Sequence, residues 1–201
     1  MARASAAGER RRRRSPEEAE REILEAGERL LKQRPLHELT VRAVMDETTL
    51  SRNSFYVYFR DRYDLIGRLV GRLRAGVNVT MAEFTGSADD PAAAGKQALY
   101  AAAQMYLENG RILRALQQAA RSDPSAGRAW EEFTRPAEEA VIARLEKENL
   151  NRPGDPDPEQ LVRVLFTMTR ATLFELADDP HPDIDRVVET LQRIWQRALF
   201  P

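Results

Sequence analysis

The chain has 201 residues with 31 basic and 32 acidic side chains, a formal net charge of −1 and no cysteine, which excludes disulfides and thiolate zinc sites. Only two histidines occur, His37 and His181, so a histidine-rich metal centre is excluded and a catalytic triad has little to build on. No apolar run of about 18 residues exists and the N-terminus lacks the apolar core of a secretion signal, so no membrane span is expected and a cytoplasmic setting is.

The even balance hides a split. Residues 1–74 hold 17 basic and 12 acidic side chains, a net of +5, whereas residues 75–201 hold 14 and 20, a net of −6. A basic head on an acidic body suits a protein that presents one end to nucleic acid. A chance split of a charged surface is the competing reading.

Residues 1–14 are small, polar and then strongly basic, with five arginines from Arg10 to Arg14. Such a run cannot build a core and reads as a disordered basic arm. It either reaches phosphates and a neighbouring minor groove or stays solvated without a defined contact. Ser15-Pro16-Glu17-Glu18 then opens a helix by cap, proline and first-turn acids. That helix runs to about Arg34, with Ile23, Leu24, Gly27, Leu30 and Leu31 facing inward, and Pro35 ends it. Leu36 and Leu39 close a small core with Val41, Val44, Phe55 and Phe59. His37 reads as a surface loop residue rather than a ligand.

Thr40 is a good N-cap for a short second helix with Val41, Val44 and Met45 on one face. Asp46 to Thr49 break the apolar pattern. Ser51 can cap a third helix, Arg52 to Tyr58, on which Phe55 and the following Phe59 form a buried stripe. Arg52, Asn53, Ser54, Tyr56 and Tyr58 lie off that stripe, a set suited to phosphates and base edges. Asp61 caps a fourth helix that starts at Arg62 and keeps an apolar stripe through Leu65, Ile66, Leu69, Val70, Leu73, Val77, Met81 and Phe84. Gly67, Gly71 and Gly76 weaken it and mark possible bends.

Further helices follow the loop Gly86 to Pro91. One runs from Pro91 to about Asn109 and a short one from Arg111 to Ala120. Another starts at Asp123-Pro124 and runs to about Asn149, with Pro136 expected to kink or divide it. After the loop Asn151 to Pro158 come two more, Pro158 to Leu176 and Pro182 to Phe200. No strand pattern and no internal repeat is found. The fold class is therefore all-α, with about nine helices.

Two helices joined by a short turn, the second presenting polar side chains, make a helix-turn-helix. The stretch also resembles the DNA-binding segment of the tetracycline-repressor (TetR) family, through Thr40, Leu50, Ser51, Arg52, Phe55, Tyr56, Tyr58, Phe59 and Leu65. Two positions depart from that pattern: the usual turn glycine is Thr49, and the usual lysine is Arg62. The expected organisation is a basic arm (1–14), a three-helix DNA-binding domain (15–62) and a helical ligand-binding and dimerisation domain (63–201). On the DNA side, Arg52, Asn53, Ser54 and Tyr56 approach bases or phosphates, with Ser51 opening their helix. Thr40, Arg42, Tyr58 and Arg62 hold phosphates on either side. Two such heads about 34–36 Å apart read a palindrome, so a double-stranded operator and a homodimer are the expected partners.

The last two helices have wide apolar faces and a short loop, and two such pairs make a four-helix dimer interface. Aromatic and methionine side chains recur in the central helices, among them Met105, Tyr106, Trp130, Phe133, Phe166, Met168 and Trp195. They are candidates to line an apolar pocket; plain core packing is the alternative. The body resembles the ethionamide-regulator branch of the family, through Gln118 to Arg121, Trp130 to Phe133, Leu165 to Phe174, Glu189 to Leu191 and Ile194-Trp195. That branch binds hydrophobic small molecules in a tunnel and is thereby released from DNA. The resemblance implies that Ala103, Leu107, Trp130, Phe133, Thr134, Ala137, Val141, Phe166, Thr169 and Trp195 line the equivalent cavity. Large aromatics of that branch are replaced here by Ala103, Leu107 and Ala137, and an asparagine pair by Phe166 and Thr169, so the ligand need not be the same. No cofactor is expected. Paired carboxylates such as Glu131-Glu132 and Glu138-Glu139 lie on solvated-looking faces, so an enzyme is not the expected reading. An architectural DNA-binding protein without small-molecule control is the other alternative.

Overall fold

Eight α-helices and one 3-10 turn make up the described residues of the computed structural model, 15–73, 91–147 and 157–199, with no strand among them. The basic arm, the far part of the fourth helix with Gly76, Val77, Met81 and Phe84, the loop before Pro91 and the residues 148–156 lie outside those residues, as does Phe200.

Helix α1 spans Pro16–Gln33. Its start is a reciprocal cap: the Ser15 hydroxyl accepts the Glu18 amide at 3.2 Å, and the Glu18 carboxylate accepts the Ser15 amide at 3.0 Å. Ile23, Leu24, Leu30 and Leu31 are buried as their spacing requires. A 3-10 turn, Leu36–Glu38, follows Pro35 and drops Leu39 into the core. Helix α2 spans Val41–Asp46, with the Ala43 amide donating to the Thr40 hydroxyl at 3.0 Å. Helix α3 spans Arg52–Tyr58. Helix α4 covers 62–73 and begins on Asp61, whose Oδ1 accepts the amides of Tyr63 at 2.8 Å and Asp64 at 2.9 Å.

Ser51 stands at the N-cap of α3, but its side chain makes no capping bond; its hydroxyl meets that of Ser54 at 2.9 Å instead. The expected cap is thus replaced by a pairing of two hydroxyls on the outer surface.

In the body, α5 is one helix over Pro91–Ala119, not two. The expected break at Asn109-Gly110 is absent, so the described residues hold eight α-helices where about nine were expected of the chain. Asn109 turns its side chain back on its own helix, donating to the Met105 carbonyl at 3.2 Å. Gly110 serves packing rather than termination: a Cβ there would sit 2.8 Å from the Cβ of Ala177. Helix α6, Pro124–Lys147, carries Pro136 inside it without being divided. Helix α7 spans Pro158–Asp178 and is capped by Asp157, which accepts the Gln160 amide at 3.0 Å. Helix α8 spans Ile184–Leu199, with Asp183 accepting the Arg186 amide at 3.0 Å.

Helix α5 is the centre of the body; it packs on α6, α7 and α8 and also on α1. Buried side chains of the head, such as Phe55 and Leu65, and of the body, such as Leu113 and Leu173, belong to one connected cluster. Gly27 lets α4 press against α1, since a Cβ there would lie 2.7 Å from the Leu65 side chain. Gly67 does the same between α4 and α6, where Ala129 would be 3.3 Å away.

Candidate nucleic-acid interface and effector site

Phe55 and Phe59 are fully buried, with ring centres 5.4 Å apart, and fix which face of α3 turns inward. The opposite face is open. Arg52 and Asn53 are exposed, Ser54 and Tyr58 are half-buried, and Tyr56 is 56% exposed with its ring edge-on to Phe55. Thr40, Arg42 and Ser51 are exposed beside them. Arg42 is held loosely by Asp46 at 3.7 Å. Arg62 is different: it is half-buried, donates to the Leu39 carbonyl at 3.4 Å and to the Tyr63 hydroxyl at 2.8 Å, and lies over the Tyr63 ring. Part of its donor capacity therefore locks the end of the head to α4.

The turn between α2 and α3 is closed by side chains. The Thr48 hydroxyl donates to the Met45 carbonyl at 2.9 Å. Thr49 directs both its amide and its hydroxyl at the Glu22 carboxylate of α1, at 2.7 and 2.9 Å. A carboxylate from a neighbouring helix so takes up the backbone donor that the turn leaves free.

In the body, the residues expected to line a cavity fall into two connected groups. Ala103 and Tyr106 are buried in the main core, with Leu107, Trp130 and Phe133 half-buried against it. Val141 anchors a smaller cluster against which Phe166 packs, and Trp195 touches both clusters. Thr134 and Ala137 are half-buried on α6. Phe166 meets Trp195 edge-to-face at 5.1 Å, and the Trp195 indole N–H donates to the buried Thr169 hydroxyl at 2.9 Å. Tyr106 packs edge-on against Phe174 at 4.9 Å and is only 3% exposed. Burial pushes its phenol up to about 12, against an opposing pull from Arg170. A surface cleft of about 570 Å³ lies elsewhere, between α1 and α4, lined by Glu17, Glu20, Arg21, Leu24, Arg68 and Arg72. Its charged rim sets it apart from the apolar body.

The model of the bacterial regulatory proteins of the tetR family matches residues 23–69, which run from within α1 into α4. Over nearly the whole chain, the protein is similar to EthR, an HTH-type transcriptional regulator of Mycobacterium tuberculosis, at 25% identity with 96% of this chain and 92% of that one aligned. Its helix-turn-helix segment is thus that of the tetR regulatory proteins, and the chain as a whole is similar to EthR. It is a DNA-binding transcriptional regulator with an EthR-like body. Its fold is also that of the fatty acid degradation regulator FadR from Bacillus halodurans, with a TM-score of 0.72 at 12% identity, covering 94% of this chain and 99% of that one. RolR in complex with resorcinol matches with a TM-score of 0.60 at 16% identity, covering 89% and 88%. No described helix of this regulator is long and apolar enough to cross a membrane.

Three features of this regulator escaped the sequence reading. Val57 on α3 is 74% exposed; helical periodicity away from Phe55 and Phe59 could have found it. Glu22 looks like an ordinary surface residue of α1 until the turn is seen against it. Arg60 is the third. Its guanidinium donates to Asp61 at 3.0 Å and reaches across to the Ser125 hydroxyl at the start of α6, at 2.6 Å. Ser125 donates in turn to Asp123, which also accepts the amides of Ser125 and Ala126, each at 2.9 Å. The residue after the α3 stripe is thus wired to the helix that carries Trp130 and Phe133. No sequence signal connects two residues 65 apart.

Proposed function

We propose that this regulator is a repressor that binds a palindromic operator as a homodimer and is released by a hydrophobic small molecule held in the body. The observation that carries the DNA side is the outer face of α3, where Arg52, Asn53 and Tyr56 stand open while Phe55 and Phe59 lock the helix from behind. Arg52 suits guanine and Asn53 adenine, with phosphate contact as the simpler role for each. Ser54 stands with them, Ser51 opens their helix, and Thr40, Arg42, Tyr58 and Arg62 flank them as phosphate-side contacts. In this reading the head, 15–62, binds DNA and residues 63–201 bind the effector and pair the subunits.

The effector site draws on Ala103, Tyr106, Leu107, Trp130, Phe133, Thr134, Ala137, Val141, Phe166, Thr169 and Trp195. Trp195 and Thr169 support it, because an indole and a hydroxyl are already paired inside an apolar region and can orient a ligand's polar group. RolR, of the same fold, binds resorcinol. Pairing through α7 and α8 is supported by Val164 and Ile194, 53% and 39% exposed on those two helices. Release follows if the ligand fits one spacing of the heads better than the other. Ala129 against Gly67 and Ser125 against Arg60 give α6 two direct holds on the DNA-binding end.

The test is a fluorescence-anisotropy titration of the full chain against DNA upstream of its own gene, at two salt concentrations, with and without a panel of hydrophobic compounds. Tight, salt-sensitive binding relieved by a compound is the expected result. Arg52→Ala flattens the logarithmic salt slope by about one unit if that residue meets phosphate. Binding to a selected operator that no compound alters removes the ligand-released repressor and leaves a regulator without small-molecule control.

A further inference from the structure

Of the large apolar side chains left open among the described residues, Val57 is the most exposed, at 74%, and it sits within α3. An α-helix advances about 100° per residue. With Phe55 and Phe59 buried on one side, Val57 points in the direction opposite the midpoint of that pair, and Asn53 lies about 40° from it. Arg52 and Tyr58 lie nearer the buried side than Val57 and Asn53 do. The residue aimed most directly at the groove floor is thus apolar and β-branched, between polar neighbours. It has no polar atom beyond its backbone, so it can read neither a donor nor an acceptor. The apolar feature that base pairs present in the major groove is the C5-methyl of thymine.

We propose that Val57 is a specificity-determining residue whose methyls pack on the C5-methyl of one thymine in each operator half-site. The proposal rests on α3 being the helix that reads bases. Covering one methyl is worth roughly a fourfold change in affinity, and about fifteenfold when both half-sites of a dimer lose it. Valine rather than a longer side chain fits this task, because it has one rotatable bond and brings its methyls close to the helix surface. The contact selects thymine against cytosine at that position without any hydrogen bond.

The experiment uses the full chain and a site selected from a randomised duplex library. Each thymine of the selected site is replaced, in both half-sites together, by deoxyuridine, which keeps the base pair and removes the methyl alone. The wild type is expected to lose about tenfold or more at one symmetric pair of positions. Val57→Ala is expected to bind thymine and uracil duplexes alike at that pair and to leave the other positions unchanged. Its unfolding midpoint should match the wild type, since the side chain is in solvent. A selection repeated with Val57→Ala should lose the thymine preference at the same pair. Equal wild-type binding at every substituted position overturns the inference and leaves DNA binding standing, as does a uracil penalty that Val57→Ala retains. Salt-sensitive binding with no enriched sequence overturns it too. No binding of any duplex at low salt overturns both the inference and the reading of α3.

Discussion

In the head, the two helices of the DNA-binding motif are 6 and 7 residues long, whereas α5 to α8 of the body run from 16 to 29 residues. Helices as short as the first pair are not stable alone in water. Directional bonds hold their ends: Thr40 on the Ala43 amide, Thr48 on the Met45 carbonyl, Glu22 on Thr49, and Asp61 on two amides of α4. The body helices are capped too, by Asp123, Asp157 and Asp183, but they are long, and between their ends they meet mainly through apolar side chains, with Asn109 and Thr169 the buried polar residues among those described. The difference has a physical sense. A surface that must match DNA needs one fixed shape, which hydrogen bonds with set geometry enforce. A region held mainly by contacts without direction can repack around an apolar guest at small cost.

The largest effect should come from Phe55→Ala, which removes a fully buried ring that α2 and α3 both depend on. A loss of about 3–5 kcal/mol in unfolding free energy is expected from denaturant titration. DNA binding should disappear at temperatures where most of the body's helical signal remains. If helicity and DNA binding were lost together in one transition, head and body would be a single cooperative unit rather than two regions held in different ways.

Gly110→Ala examines packing in the body. The added Cβ meets Ala177 at 2.8 Å, on a backbone-attached atom that cannot swing aside, so α5 and α7 must part. Overpacking of this kind costs about 1–3 kcal/mol, while the gain in helix propensity returns up to about 1. A net destabilisation read by thermal unfolding is expected; a stabilised variant would mean that Gly110 is merely tolerated. Thr169→Val follows in size. It keeps the shape but leaves the Trp195 indole N–H without its acceptor, at about 1–2 kcal/mol. Thr169→Ser should retain both the stability and the tryptophan emission. Equal emission and stability in the valine variant would show that the indole finds another partner.

The elements that sequence reasoning located well are those whose cause is local. Ser15-Pro16, Thr40 and Asp61 announce helix starts because the capping oxygen lies within three residues of the amides it serves. The alternation of buried Phe55 and Phe59 with open Arg52, Asn53 and Tyr56 follows from helical periodicity, so the open face of α3 was legible too. Asn109-Gly110 misled because glycine signals a helix end and a close approach equally well, and Ala177 decides between them from α7. Ser51 misled for a related reason: the residue type suits a cap, but Ser54 competes for the same hydroxyl. In the body, a pocket wall and a core share one pattern of apolar spacing. Nothing in the pattern separates Tyr106, buried against Phe174, from Trp195, shared between two clusters.

The smallest effect on stability, and the most telling for regulation, is expected of Arg60→Ala. The side chain is exposed and its ion pair with Asp61 is screened, so the unfolding midpoint should hardly move. Yet Arg60 joins the residue after α3 to Ser125 on α6, and with it the directional bonding of the head to the looser packing of the body. If that bond passes a shift of α6 to the recognition helix, Arg60→Ala keeps its affinity for operator DNA but responds less to the effector. Ser125→Ala should reproduce the change, and the double variant should add nothing further. Acid offers a second approach to the same clasp. Burial alone would raise the Asp61 carboxyl, but the Asp64 and Tyr63 amides and Arg60 outweigh it and hold it below 3.8. The Ser125 hydroxyl, with the Ala126 amide, does the same for Asp123. Carboxyls depressed in the fold stabilise it fully above their ordinary value and lose that contribution as the pH falls through the lowered one. The response to effector should therefore persist down to about pH 4 and fade only below it. A response that weakened well above that range would place the coupling on a different group.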